Sequence, residues 1–295
     1  MEKGAAILKT IIAVFLMLSI LCSASYAKEA KKVPILSCDT YSLRDLFSSG
    51  ELDYLTAPKV LKEMGIPGIT YNSIWMKYDK AYMDAMKKAC KDAGVTITGF
   101  IMEGNIATIN DAARKKQIED DIEAIKAAGY LGAPIVRINL GGTGKGDEQD
   151  DTVGVQNCID AFNEMLPIAK QLNVKLTIEN HGGVSANADR ILKVIKGTDP
   201  LWVGSCLDFG NWPAEKRNTE TAKLAAYAYH VHAKCKTFEA DGEATGMNYK
   251  YLLGLMKRAG YTGAVSIEYE GGGDSLEGVK NTRALILKYW PELGK

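Results

Sequence analysis

The six residues Tyr229-His230-Val231-His232-Ala233-Lys234 decide how the rest of the chain is read. They carry two of its three histidines in an alternating, otherwise apolar run, so His230 and His232 leave the same face of a strand. Three more apolar runs lead to side chains of similar chemistry. Leu176-Thr177-Ile178 ends at Glu179, with Asn180 and His181 just beyond; Val203-Gly204-Ser205-Cys206-Leu207 ends at Asp208; Ala264-Val265-Ser266-Ile267 ends at Glu268. Four strands of buried type therefore finish on Glu, Asp, His and Glu.

Toward the N-terminus the same alternation continues. Strands are predicted over Val33 to Cys38, Gly68 to Tyr71, Val95 to Ile101 and Pro134 to Asn139. Helices are predicted over residues 54–64, 79–93, 110–130, 153–172, 188–195, 219–226, 249–259 and 276–289. In the third of these Ile118, Ile122, Ile125 and Ala128 recur at helical spacing. Eight strand-helix units predict an α/β protein, a closed (β/α)8 TIM barrel forming a single domain over residues 28–295, with its active site at the carboxyl ends of the strands. An open doubly wound sheet is the structural alternative, but no Gly-x-Gly-x-x-Gly turn follows the first strand.

Residues 1–27 read as a signal peptide: Lys3 and Lys9, then an uncharged apolar run from Ile11 to Leu21, then Ser25-Tyr26-Ala27 at the cleavage position. The expected mature chain starts near Lys28 and is exported, periplasmic or secreted, with no membrane span after cleavage, because the apolar run is short for a spanning helix. Lys+Arg and Asp+Glu number 36 each, so bulk charge supports neither a nucleic-acid nor an anionic-membrane partner. Cys38, Cys90, Cys158, Cys206 and Cys235 are odd in number and specify no disulfide framework; they read as small buried hydrophobes.

In such a barrel Glu179, Asp208, His232 and Glu268 converge at the top of the fifth to eighth strands. Three carboxylates that close repel one another unless a cation lies between them. One divalent metal ion is therefore the expected cofactor; oxygen-rich ligands with one imidazole suit Mn first, with Mg, Co or Zn as alternatives.

These motifs also carry a resemblance. Ile178-Glu179-Asn180-His181-Gly182-Gly183, Leu207-Asp208-Phe209-Gly210-Asn211, His230-Val231-His232-Ala233-Lys234 and Ser266-Ile267-Glu268-Tyr269-Glu270 resemble the xylose isomerase-like TIM-barrel superfamily, which includes sugar isomerases, ketose 3-epimerases and endonuclease IV. The resemblance implies that Glu179, Asp208, His232 and Glu268 are metal ligands. It further implies that Glu179 and Glu268 are the catalytic acid/base pair, placed on both faces of an enediolate whose oxygen the metal stabilises. Two positions depart from the ketose epimerases: Asn211 stands where they have a histidine, and Lys234 and Lys236 stand where they have an arginine. The histidines and acidic ligands of the three-zinc nuclease cluster are absent.

Around this set, His181 shares the inward face of Glu179 and is expected to contact substrate, as are Lys234 and Asn211. Glu103, Arg137 and Asn139 end or follow the third and fourth strands and are expected to line the sugar pocket. His230, one layer deeper than His232, reads as a satisfied core histidine. The Gly141 to Gly146 loop with Lys145 lacks P-loop spacing and reads as a mobile cover. Trp75 and Trp212 read as core packing. The expected function is an exported metal-dependent sugar isomerase or epimerase, with a small-molecule carbohydrate partner and room for a homo-oligomer. A 3-keto-glycoside lyase on the same metal site and a non-catalytic carbohydrate-binding barrel are the alternatives.

Overall fold

A computed structural model of the protein describes residues 33–144 and 151–294. The expected signal peptide and Lys145 lie outside the described residues. The barrel belongs to the compact unit Pro34–Lys295. Its strands are β1 (Ile35–Asp39), β2 (Gly68–Asn72), β3 (Thr96–Met102), β4 (Ile135–Ile138), β5 (Lys175–Glu179), β6 (Val203–Asp208), β7 (Ala228–Cys235) and β8 (Ala264–Tyr269). All pair in parallel and in sequence order. The ring closes where β1 meets β8, from Ile35 opposite Ala264 to Cys38 opposite Ile267.

The described helices are α1 (Arg44–Ser49), α2 (Ala57–Glu63), α3 (Lys80–Ala93), α4 (Asp111–Leu131), α5 (Asp151–Gln171), α6 (Ala188–Gly197), α7 (Arg217–Leu224), α8 (Tyr249–Arg258) and α9 (Ser275–Tyr289). Their limits are written in short polar residues and glycine. Asp79, Asn110, Asn187, Asn248 and Asp274 each accept a backbone N–H at a helix start, satisfying donors that have no partner inside the helix. Gly94 ends α3 and Gly132 ends α4, both left-handed, at φ of 65° and 79°. The short helix α1 was not expected from the sequence; with six residues and only Phe47 buried, it leaves no periodic trace. No helix among the described residues is long and apolar enough to cross a membrane.

Strand residues alternate between the two faces. Leu36, Ile178, Leu207, Val231 and Ile267 are fully buried and belong to the core that the helices cover. Their neighbours Ser37, Thr177, Asp208, His232 and Ser266 take the opposite face, toward the barrel interior. That interior, usually filled by branched apolar side chains, has a polar layer here. Ser37 Oγ lies 2.6 Å from Thr98 Oγ1, Thr70 Oγ1 lies 2.9 Å from Thr98 Oγ1 and 3.0 Å from Ser266 Oγ, and Thr70 Oγ1 lies 3.4 Å from His230 Nε2. Hydroxyls can act as donor or acceptor, so neighbours satisfy one another without water. His230 is thus a core histidine, although only one ring nitrogen has a partner. Burial, reinforced by His232, pushes its pKa well below the usual imidazole range.

One buried charge lies outside this interior. Asp121 of α4 is 1% exposed; its Oδ1 accepts from Gln117 Nε2 at 2.9 Å, while its Oδ2 has no hydrogen-bond partner. Burial lifts its carboxyl to about 7, against the pull of the Gln117 bond. A pKa raised in the folded state favours folding at low pH and loses that contribution as pH rises through it. Asp121→Asn should therefore match the wild type in urea stability near pH 4 and exceed it by up to about 4 kcal/mol above pH 7. Parallel pH profiles for the two proteins would show that Asp121 titrates normally.

Candidate metal centre

Parallel pairing brings the ends of β5 to β8 to one mouth of the barrel. Glu179 ends β5, Asp208 ends β6, and His232 and Glu268 face inward from β7 and β8. One ligand atom from each of the four lies within 4.8 Å of the others, and all four residues are buried. The sequence motifs therefore meet in space.

The histidine ring has two distinct sides. Its Nδ1 lies 2.9 Å from Glu179 Oε1 and 3.3 Å from Glu268 Oε2, while its Nε2 points to Asp39 Oδ2 at 3.5 Å. Two cations flank the cluster. Arg137 on β4 brings Nε to 2.8 Å from Glu179 Oε2, an ion pair not aligned as a hydrogen bond, and donates to Glu103 Oε1 at 2.8 Å and Met102 O at 3.0 Å. Lys234 stays within β7, which runs three residues past His232, and is 1% exposed. Its Nζ lies 3.2 Å from Asp208 Oδ2, 3.3 Å from Glu268 Oε2 and 3.2 Å from Glu270 Oε1, and donates to Asn211 Oδ1 at 2.9 Å.

Among the protein groups alone the carboxylates divide their charge unequally. Burial would raise Glu179, but the Arg137 guanidinium and the His232 ring outweigh it and hold the carboxyl at about 2. Burial is outweighed at Glu268 too, where Lys234 and then His232 hold it well below the usual carboxylate range. At Asp208 burial wins over Lys234, and repulsion from Glu268 and Glu179 adds to it, so this carboxyl is pushed well above that range. The His232 ring, which burial alone would make less basic, is raised well above the usual imidazole range by Cys206, Glu268 and Glu179.

Glu179 Oε2, Asp208 Oδ2 and Glu268 Oε2 are buried and lack hydrogen-bond donors of good geometry. Arg137 and Lys234 lie at ion-pair distance from these oxygens but are shared among several carboxylates, so a further cation would offset the remaining cost of burying them. Three carboxylates and an imidazole form a donor set suited to a hard or borderline divalent ion, so the residues fit a single metal.

The other expected residues fall around this centre. Asn211 donates its backbone N–H to Asp208 Oδ1 at 2.7 Å, as does Gly210 at 2.6 Å, so the turn after β6 fixes Asp208. Asn139 Nδ2 donates to Glu103 Oε2 at 3.2 Å, which joins Glu103, Arg137 and Asn139 in one polar patch on the β3–β4 side. His181 is exposed just past β5, its backbone N–H bound to Ser185 Oγ at 3.0 Å. Trp75 packs 5.0 Å from Phe47 and Trp212 is 3% exposed, so both are packing residues. Cys38, Cys90, Cys158, Cys206 and Cys235 are free and buried.

Asp39 was missed. It ends β1, is 1% exposed, and accepts the Tyr41 N–H at 2.8 Å. The sequence carried a signal: Ile35-Leu36-Ser37-Cys38-Asp39 is another apolar run that ends in a carboxylate.

The family model described as a xylose isomerase-like TIM barrel matches residues 58–289. Among solved structures, a D-tagatose 3-epimerase-like protein is similar with a TM-score of 0.69 at 16% identity, over 88% of this chain and 98% of its own. D-psicose 3-epimerase, solved in the presence of D-fructose, gives 0.68 at 15% identity, over 88% and 100%. A 3-keto-D-glucoside 4-epimerase from E. coli, in apo form, gives 0.67 at 15% identity, over 80% and 94%. At these identities the likeness is one of fold. Comparison with curated proteins gives no match.

Arg137 is the test of the electrostatic arrangement. Arg137→Met would leave Glu179 buried beside fewer cations, and breaking a buried pair from one side costs about 3–5 kcal/mol. The expected result is an unfolding free energy in urea lowered by that amount at pH 7; an unchanged value would show that Glu179 does not depend on Arg137.

Proposed function

The chain belongs to the xylose isomerase-like TIM-barrel family, and from that premise we propose that it is a metal-dependent isomerase or epimerase acting on a carbohydrate by proton abstraction next to a carbonyl. The observation that carries this reading is the buried Glu179, Asp208, His232 and Glu268 cluster, at the strand ends where barrels of this kind place their active sites. The sugar epimerases among the fold neighbours support the substrate class.

In this reading the four clustered side chains hold one divalent ion, with Mn favoured and Mg, Co or Zn as alternatives. A bound ion would supply Lewis-acid stabilisation of negative charge that develops on a substrate oxygen. Glu179 and Glu268 would move the proton, one removing it and the other returning it from the opposite side, which inverts the carbon. Arg137 keeps Glu179 ionised, and Lys234 does the same for Glu268. Glu103, Asn139 and His181 would bind sugar hydroxyls at the less buried β3–β5 side. Lys234 and Asn211, bound to each other and to Asp208, would shape the opposite wall.

A lyase reading uses the same groups: with a 3-keto-glycoside, removal of the C2 proton would expel the C1 substituent. Lys234 favours it, because an ammonium inside the cluster can stabilise an oxyanion where the ketose epimerases have an arginine. We also propose export, with residues 1–27 as the signal; the mature protein recovered from its host should then begin near Lys28 by N-terminal sequencing.

Proton NMR in heavy water tests the chemistry. With Mn added, then removed by chelator before observation, the protein is expected to place deuterium next to the carbonyl of a ketose or a 3-keto-glycoside. Loss of the C1 substituent would select the lyase. A chelator present throughout should abolish exchange, and Glu268→Gln should reduce it about 10²–10⁴-fold while sugar binding persists. Sugar binding with no exchange for any substrate would instead favour the carbohydrate-binding barrel.

A further inference from the structure

The four clustered residues do not account for every charge facing the barrel mouth. Asp39 lies on β1, separated from β7 by β8, and reaches the cluster only because the barrel is closed. Register fixes its height: Cys38 stands opposite Ile267 on β8, while His232 stands opposite Ser266 and Lys234 opposite Glu268. Ser37 faces the interior, in contact with Thr70 and Thr98, so Asp39, two residues on, faces it as well. Its carboxylate is anchored from behind, since Oδ1 accepts the Tyr41 N–H at 2.8 Å. The other oxygen, Oδ2, lies 3.5 Å from His232 Nε2, an ion-pair distance not aligned as a hydrogen bond.

We infer that Asp39 is a positioning residue for His232: by holding Nε2 it fixes the ring with Nδ1 toward Glu179 and Glu268. This inference rests on the metal reading above only for its consequence, a stronger metal ligand. A carboxylate behind an imidazole fixes which nitrogen bears the proton, fixes the ring plane and makes the free nitrogen a better donor. Without such a partner, a ring in this site could turn over and present Nε2 to the carboxylates instead. The Cys206 thiol also touches the ring, but a thiol is a weak hydrogen-bonding group and carries no charge when protonated. Asp39 is the group whose placement suits the task. It makes no contact with substrate in this assignment.

The test uses zinc, which is diamagnetic, and the full-length protein with Asp39→Ala and Asp39→Asn variants. Zinc affinity is measured by competition with a chromophoric chelator, and the His232 ring protons by 1H–15N NMR with and without zinc. The three histidines are assigned by single substitution. The wild-type Nε2–H is expected downfield and protected from exchange. Asp39→Ala should lose that protected proton and weaken zinc binding about 10–100-fold. Asp39→Asn, which keeps an acceptor oxygen and loses the charge, should retain the protected proton at higher field and recover part of the affinity. This partial rescue separates positioning from a general loss of packing, and Asp39→Asn also serves if the alanine variant fails to fold. A ring proton and an affinity that neither variant alters would overturn the inference while leaving the metal reading intact. A wild type that binds no zinc, but whose Nε2–H depends on Asp39, would sustain the contact and defeat the metal reading.

Discussion

Like charges brought out of water repel, and much of this protein's interior answers that constraint. Glu179, Asp208 and Glu268 are each no more than 5% exposed, and Asp39 lies beside them at 1%. In a low-dielectric interior, carboxylates so close require countercharge or a proton. Arg137 and Lys234 meet part of the requirement, but each is shared: Arg137 between Glu179 and Glu103, Lys234 among Asp208, Glu268 and Glu270. The remaining negative charge sits where the four donor atoms converge. A divalent ion there is the economical solution, and the same ion would place an electrophile next to two carboxylates able to move protons. Structure and proposed chemistry thus follow from one electrostatic demand.

The polar layer below the site has a complementary role. Hydroxyls of Ser37, Thr70, Thr98 and Ser266 form a mutually satisfied group around His230, which burial keeps neutral. A second charge beneath the cluster would have added to the repulsion. Neutral hydrogen-bonding groups fill the barrel without it.

The barrel was legible because parallel strands buried on both faces leave short, near-continuous apolar runs between helices. The cluster was legible for a related reason: a charged residue ending such a run has nowhere to go except the mouth, and Glu179, Asp208, His232 and Glu268 all end or nearly end their strands. What could not be read is what depends on side-chain reach. Arg137 stands on β4 as a strand residue like its neighbours, and only the folded register shows its guanidinium on Glu179. Lys234 looked like a strand-end cation, yet β7 continues through Cys235 and carries its ammonium into the cluster. Asp39 ends an apolar run as the others do, but its neighbours could not be read: it precedes Glu268 by more than two hundred residues, and only ring closure brings the two together.

That closure gives the molecule an order of events in time. The seam joins the first strand to the last, so a chain emerging from the ribosome holds β1 with one unpaired edge until β8 has been made. Contacts so remote in sequence form slowly, since the entropy of closing the intervening loop must be met before they stabilise anything. Glu268 belongs to that last strand and Asp39 to the first. A nascent or truncated chain therefore lacks both a sealed sheet and a complete set of acidic side chains at the mouth, and the centre is assembled by the same step that finishes the fold.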